Sequence, residues 1–503
     1  MCRQFHVAAV AAAVAGAFAG SALAATPIYG AGASAVQKSV LYIVLKDYCS
    51  TATNVTYYDN ATSAPTASTV TPSGSIWRVT CTPVSAAKFT SGLDITYDSS
   101  GGSWKGLTAV RSGLLSAAQS SLNANPVSTV TIGTGTTYGT LTPTFLGSTF
   151  TFTYVWGVTA TSLGTLSSSG TNSVTFGLTD VESTIFDTSS YNQPLQNGTW
   201  NSVSGGTPIF STWPTAQSEL SGFPLKAFGV TFGVAASPAL YKALQIDQTS
   251  AGLLPASCSS SYGTVGSGTS PTCVPFISMS QYRSLVSANF GALNQNSAAL
   301  FLTVTPTDTS IELARRDQGS GTQASSNTFF LNQGCASTST EASDLGPALP
   351  VDINPVPATG PNTTTDFMDV SYNASTGNVI TRLAPVAASA ASNPGPTNGF
   401  VIGVVSAEKD GALGTGVGFL RLNGFYPLNT NVTQGLYTYL SEENLHANPN
   451  ATGDALQFIT DLGGTGTAPA SEVITNYSGT GIVNLNSSPY YNNGTICAGL
   501  RHV

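Results

Sequence analysis

Residues 311–331 read IELARRDQGSGTQASSNTFFL. The stretch AALFLTVTPTDTSIELARR (298–316) predicts strand, turn and strand. The octet RRDQGSGT (315–322) is then a glycine turn, and SSNTFFLNQGC (325–335) predicts a helix after it. A strand leading through glycine into a helix is an α/β unit. A second GSGT, at 266–269, has no arginine before it and sits between Cys258 and Cys273, so it reads as loop.

Two more strand-to-helix turns stand upstream. IYGAGASAVQKSVLYIVLKDYC (28–49) begins as a strand, turns through GAGAS (30–34) and enters an amphipathic helix with Ser34 as its N-cap. LDITYDSSGGSWKGL (93–107) repeats the pattern, with Leu93, Ile95 and Tyr97 on the strand and DSSGGS at the turn. SVTFGLTDVES (173–183) is a strand ending at Asp180. KAFGVTFGVAASPALYKALQ (226–245) is a buried strand followed by helix, and Ser278 and Gln281 have the spacing of a capping box. Residues 128–176 are Thr-rich with period-two alternation, which predicts β-hairpins inserted on the α/β frame. Residues 336–375 predict loop, 393–411 a turn and buried strand, and GFYPLNTNVTQGLYTYLSEE (424–443) a strand pair. Strands alternating with helices imply parallel sheets.

Charged residues make up 8% of the 503 positions, against about 25% in ordinary soluble proteins. The net charge of -8 and the lack of a Lys/Arg-rich run argue against a nucleic-acid partner. Arg3, the Ala/Gly-rich run that follows and the A-x-A site Ala22-Leu23-Ala24 predict a bacterial Sec signal peptide over 1–24, hence a periplasmic or secreted product. Six cysteines follow Cys2: Cys49, Cys81, Cys258, Cys273, Cys335 and Cys497. An exported chain with an even count predicts disulfides; proximity favours 49–81 and 258–273, leaving 335–497. Zinc is the competing reading, weakened by the absence of a C-x-x-C pair. Beyond His6 only His446 and His502 remain, so neither a metal nor another cofactor is expected.

A helix N-terminus presents unpaired N–H groups and partial positive charge, so such turns attract anions. Glycine lets the backbone approach an oxygen and Ser or Thr adds a hydroxyl. Arg316 would add a planar two-pronged donor. Asp180 makes sense beside an anion that still carries a proton, as hydrogen phosphate does and sulfate does not. The blander readings are a flexible leader for GAGAS, a linker for DSSGGS, a helix cap for Asp180 and a solvated pair for Arg315 and Arg316.

In order, GAGAS (30–34), DSSGG (98–102), FGLTD (176–180) and RDQGSGT (316–322) resemble GAGAT, GSSGG, FGASD and R-x-D-G-S-G-T. These are the motifs of the phosphate-binding protein of the bacterial phosphate ABC importer, a type 2 periplasmic binding protein. FISMSQYRSLVSANF, NPGPTNGFVIGVVSAEKD and YPLNTNVTQGLYTYL are similar to later segments of that family. The resemblance implies a two-domain α/β fold with an interdomain cleft that closes on phosphate. The domains it implies are 25–223 (domain I, with the Thr-rich β insertion at about 112–170), 224–400 (domain II) and 401–503 (return to domain I). It implies a phosphate site of Ser34, Ala35, Ser99, Asp180, Arg316, Ser320, Gly321 and Thr322. The implied partners are inorganic phosphate and an ABC importer membrane complex, with the chain a monomer. Three departures stand out: Ser34 replaces Thr, Gln318 stands where the family has Asp, with Asp317 beside it, and the 112–170 insertion is extra. Two other readings stay open: a surface or matrix protein on a binding-protein frame, and a phosphoesterase of the kind suggested for DING-type relatives.

Overall fold

The structure is a computed structural model that describes residues 27–49, 54–62, 64, 74–84, 89, 92–111, 127–142, 144–145, 148–149, 151–163, 174–182, 185–186, 224–268, 270–287, 297–303, 311–316, 319–332, 368–373, 375–384, 399–410, 413–448, 450–462, 482–484, 490–491 and 501–502. The expected signal peptide, Asp317, Gln318, Cys335 and Cys497 lie outside the described residues, as does much of the 112–170 segment.

In chain order the first elements are β1 (Pro27–Gly32), α1 (Gln37–Ile43), β2 (Thr56–Asp59), β3 (Ile76–Cys81), β4 (Leu93–Asp98) and α2 (Gly102–Arg111). Then come β5 (Thr136–Leu141), β6 (Phe152–Trp156), β7 (Phe176–Thr179), β8 (Pro224–Ala236), α3 (Pro238–Ser250) and α4 (Met279–Ser287). Beside shorter pieces, β9 (Glu312–Arg316), α5 (Gly321–Leu331), β10 (Asp369–Asn373), α6 (Thr376–Leu383), β11 (Val401–Ser406), β12 (Leu440–Ala447) and α7 (Gly453–Leu462) follow. The strands build one large mixed sheet in the order β10-β9-β11-β8-β12-β7-β1-β4-β3-β2-β6-β5. Each site-bearing strand has parallel neighbours: β1 pairs with β7 and β4, and β9 with β10 and β11.

β8 joins the two halves of the sheet. Its residues 224–231 pair with β12 and its residues 232–236 pair with β11, both antiparallel. β11, at the start of the segment expected to return, pairs with β8 and β9; β12 is the strand that reaches β7. The Thr-rich segment does form strands. β6 pairs parallel with β2, so the insertion widens the main sheet rather than standing apart from it. Its outermost strand, β5, pairs with β6 through a register shift between Thr137 and Gly139, a bulge with Gly139 at φ 124.

Glycine sets two close approaches. Gly30 lies between Phe176 on β7 and Tyr97 on β4 in the parallel register. A Cβ there would come 2.2 Å from the Phe176 ring. Without it, the rings of Tyr97 and Phe176 stack across the intervening strand at 6.1 Å, and Trp77 continues the row at 5.9 Å from Tyr97. Gly106 and Gly177 bring α2 onto β1 and β7 backbone to backbone. A Cβ on Gly177 would meet the Gly106 carbonyl at 2.0 Å, and one on Gly106 the Leu178 carbonyl at 2.7 Å.

Several local expectations hold. Disulfides join Cys49 to Cys81 and Cys258 to Cys273. Ser278 accepts from the Gln281 N–H while Gln281 accepts from the Ser278 N–H, completing the capping box. Ser237 caps α3 with Pro238 at its first position. Four expectations need correction. Ser34 does not cap α1; the cap position is Val36, with no side-chain bond. The Ala33 N–H is bound to the Leu178 carbonyl, which holds the chain in strand register past the expected start. The expected strand at 298–303 is a turn of 3-10 helix at Ser297–Leu300, closed by the Ile311 N–H donating 2.7 Å to the Ser297 hydroxyl. Within the loop expected at 336–375, Asp369–Asn373 is strand β10, recruited by the parallel ladder to β9. In the expected strand pair at 424–443, Asn429–Thr433 is helical, with the Asn431 amide donating to the Tyr426 carbonyl.

Overfilling the Gly106–Gly177 contact tests this packing. Gly106→Ala should cost roughly 1–3 kcal/mol, read in urea as a lower midpoint with an unchanged slope.

Candidate functional site

β4 ends at Asp98, which is fully buried. One carboxylate oxygen accepts from the Ser100 N–H (2.9 Å) and the Ser100 hydroxyl (2.6 Å). The other accepts from the Lys105 ammonium (2.7 Å) and the Ser128 N–H (2.7 Å). This four-donor carboxylate folds DSSGG back on itself, with Gly101 (φ 92) and Gly102 (φ 67) taking conformations that favour glycine. α2 therefore opens at Gly102, pointing its N-terminus at the sequence opened by the arginine strand.

The partner turn is built the same way. β9 delivers Arg316, Gly319 turns at φ 85, and Ser320 caps α5 by accepting from the Gln323 N–H. The two helix N-termini meet: the Trp104 N–H donates 3.0 Å to the Gly319 carbonyl. Gly321 then sits directly on Asp180 and Ser103. A Cβ at Gly321 would lie 2.1 Å from the Ser103 hydroxyl and 2.4 Å from Asp180 Oδ2. The Ser103 hydroxyl donates to Asp180 Oδ2 at 3.1 Å and accepts from the Asp180 N–H at 3.2 Å.

Arg316 is anchored as well as charged. Its Nε donates to the Asn373 carbonyl (3.1 Å) and its Nη1 to the Thr376 hydroxyl (2.9 Å). Nη2 faces the other turn, 3.9 Å from where a Cβ on Gly102 would stand. Thr322 is buried and, with Tyr282, Arg315, Arg316, Gln323 and Asn327, helps line a cavity of about 10 Å³, the space of a single water.

The residues expected from sequence thus divide into groups. Asp180, Arg316, Ser320 and Gly321 converge, and Thr322 follows in the first turn of α5. Ser99 is turned toward α1: its hydroxyl lies 2.6 Å from Gln37 Oε1 and 2.9 Å from the Ser75 carbonyl. Ser34 is half-buried and Ala35 buried, next to Ala33, whose carbonyl accepts from the Tyr97 hydroxyl at 2.8 Å. The hydroxyl that reaches Asp180 is Ser103, the last serine of DSSGGS, which the motif alone did not single out.

A second addition is Glu443 on β12, buried beside Asp180. Burial raises the Asp180 carboxyl above its usual range, and the charge of Glu408 adds to that; bonding to Glu443 and Ser103 and the charge of Arg316 oppose it. Glu443 is held well above the carboxylate range by burial and by the neighbouring Asp180. The signal for Glu443 was in the sequence. Two adjacent acids interrupt the strand LSEENL (440–445), and adjacent strand residues face opposite sides, so one of them must point inward.

Two facing helix N-termini, an anchored guanidinium and a hydroxyl-bound carboxylate make an arrangement suited to holding an oxyanion by hydrogen bonds, with little formal charge.

No family model matches the chain, and no curated protein matches it in sequence. Among solved structures it aligns with an ABC-type phosphate transport receptor from Vibrio cholerae: 13% identity over 60% of this chain and 78% of that one, TM-score 0.28. It also aligns with PstS from Borrelia burgdorferi: 12% identity over 54% of this chain and 76% of that one, TM-score 0.26.

Asp98 is the keystone of the first turn. Asp98→Asn leaves the Lys105 ammonium buried without its counter-charge, and should cost about 3–5 kcal/mol in chemical denaturation.

Proposed function

We propose that the chain is an exported solute-binding protein that takes hydrogen phosphate at the junction of the α2 and α5 N-termini. The carrying observation is the contact of Gly321 with Ser103 and Asp180, which brings together three sequence-distant motifs that match in order. Only a residue without a side chain fits there, and the same juncture has Arg316 directed at it. In this reading Arg316 and the first-turn amides of the helices bind phosphate oxygens. Asp180 accepts the remaining ligand proton. Sulfate lacks that proton, so it would leave the buried carboxylate facing an oxygen, which is a strong basis for rejection. Phosphate would enter when the facing helix ends part, by relative motion of the two halves of the sheet about β8 and β12.

Delivery to an ABC importer in the membrane follows from the same reading, with the protein acting as a monomer without a cofactor and without catalysis. Ester hydrolysis would need an activated nucleophile or a metal. The serine at the juncture, Ser103, is bound to a carboxylate, and no imidazole stands in contact with it among the described residues.

Titration of the full chain with phosphate, arsenate and sulfate by calorimetry tests the proposal. Phosphate should bind and sulfate should not. Arg316→Ala should weaken phosphate by about a hundredfold or more, the loss of a charge-assisted bidentate contact. Asp180→Asn should narrow the phosphate-over-sulfate ratio by at least about tenfold. No heat with phosphate in the wild type would remove the ligand assignment, and turnover of a chromogenic phosphate ester would favour the enzyme.

A further inference from the structure

Glu443 is a buried acid for which the phosphate reading has no use. It lies on β12, which pairs antiparallel with β7 in the register Leu178↔Leu445 and Thr179↔Asn444. One step further along that register puts Asp180 opposite Glu443. Residues directly opposite on antiparallel strands have Cβ atoms about 4.5–5.5 Å apart, and like charges there repel. The neighbouring Ser441 hydroxyl donates to the Asp180 backbone carbonyl, which ties β12 to the Asp180 turn. Asp180 is 3% exposed and Glu443 is 1% exposed.

The hydrogen-bond count at this pair is incomplete as long as both acids are ionised. Asp180 Oδ1 and both carboxylate oxygens of Glu443 are buried and accept from no donor. Asp180 Oδ2 is served by Ser103, but among the described residues nothing equivalent reaches Glu443. A single proton resolves this, because an acid O–H can donate to the facing carboxylate, and the two side chains are within hydrogen-bonding reach. We propose that Asp180 and Glu443 hold one proton between them, and that Glu443, acting on Asp180, fixes the charge which the site presents to its anion.

The charged groups around the pair act in opposite senses. Arg316 on β9 supplies the positive charge near Asp180, while Glu408 beyond β11 adds a negative one and is itself bound to Lys409 at 2.6 Å. Tyr97 on β4 gives its hydroxyl to the Ala33 carbonyl, and Tyr439, just before β12, shares its hydroxyl with Ser325. Both phenols are held above their ordinary titration range by burial. Neither tyrosine donates to the pair.

The consequence for binding rests on the reading of Asp180 as the phosphate-facing carboxylate. With one shared proton the pair carries one negative charge, and Asp180 Oδ2 remains an acceptor. Both acids titrate above their usual range, so the shared proton is held below that raised range and lost as pH rises through it. Beyond that point a second buried negative charge faces the ligand, and affinity falls.

Infrared spectroscopy of the ligand-free full chain tests the proton without any ligand. The wild type at neutral pH should show the C=O stretch of a protonated carboxyl, fading as pH is raised. Glu443→Gln should lose one carboxyl's share of that band. A wild type without the band at neutral pH, or a Glu443→Gln protein that keeps it in full, would overturn the proposal. If the variant does not fold, absence of the band from the wild type at neutral pH still overturns the proposal. Phosphate affinity measured across the same pH range is the second arm. Wild-type affinity should drop about tenfold for each unit above the loss of the shared proton, and Glu443→Gln should lose this slope because its amide donates at every pH. If phosphate does not bind at all but the infrared band is present, the ligand reading fails while the shared proton stands. An equal slope in both proteins would overturn the role given to Glu443.

Discussion

The arrangement turns on one contact, Gly321 against Ser103 and Asp180. It requires α2 and α5 to meet end to end, with no side chain between them. That in turn requires DSSGG to reverse sharply enough for α2 to begin at Gly102. The buried Asp98 carboxylate does this by gathering four donors, one of them the ammonium of Lys105 seven residues on. Arg316 is held by carbonyl and hydroxyl partners on β10 and α6, so its remaining edge is directed rather than free to wander. Each half of the site is fixed by its own local bonds before the halves come together.

Charge is scarce in this chain, and part of what is buried lies around the same juncture. Asp98 is neutralised by Lys105, and Glu312 is paired with Arg382 under β9. Asp180 and Glu443 lack such a match. Burying two acids next to each other is costly unless a proton, a hydroxyl or a cation offsets them. Here Ser103 and Arg316 supply part of that offset, and the single shared proton proposed above would supply the rest. A fold could replace such a pair with apolar residues at no loss of stability, so its presence in a well-packed strand junction points to a use.

Much of the α/β frame was legible in the residues. Strand-to-helix turns at GAGAS, DSSGGS and RDQGSGT announced parallel strands, and the structure has them. Local signals with local partners also read correctly, as at the Ser278–Gln281 capping box and the two short-range disulfides. What escaped depended on partners far along the chain. Ser34 reads as a cap until Leu178 claims the preceding amide. Gly30 reads as one more glycine of the GAGAS turn, yet its lack of a side chain lets Tyr97 and Phe176 stack. DSSGGS offers three serines, and only the helix start set by Asp98 and Lys105 decides that Ser103 meets Asp180. Glu443 pairs with a residue 263 positions away, a distance over which no periodicity reports.

The bulge at Gly139 bears on how the molecule lives among its own copies. Among the described residues β5 ends the sheet on this side, and an edge strand presents backbone donors and acceptors onto which another chain's strand can zip. A one-residue slip at Tyr138, followed by Gly139 at positive φ, breaks the even spacing that such a ladder needs and increases the local twist. A neighbouring molecule that began to pair there would run out of register within a few residues. On this edge the bulge works against the sheet growing into a fibre, and it sits on the segment that makes the sheet wide.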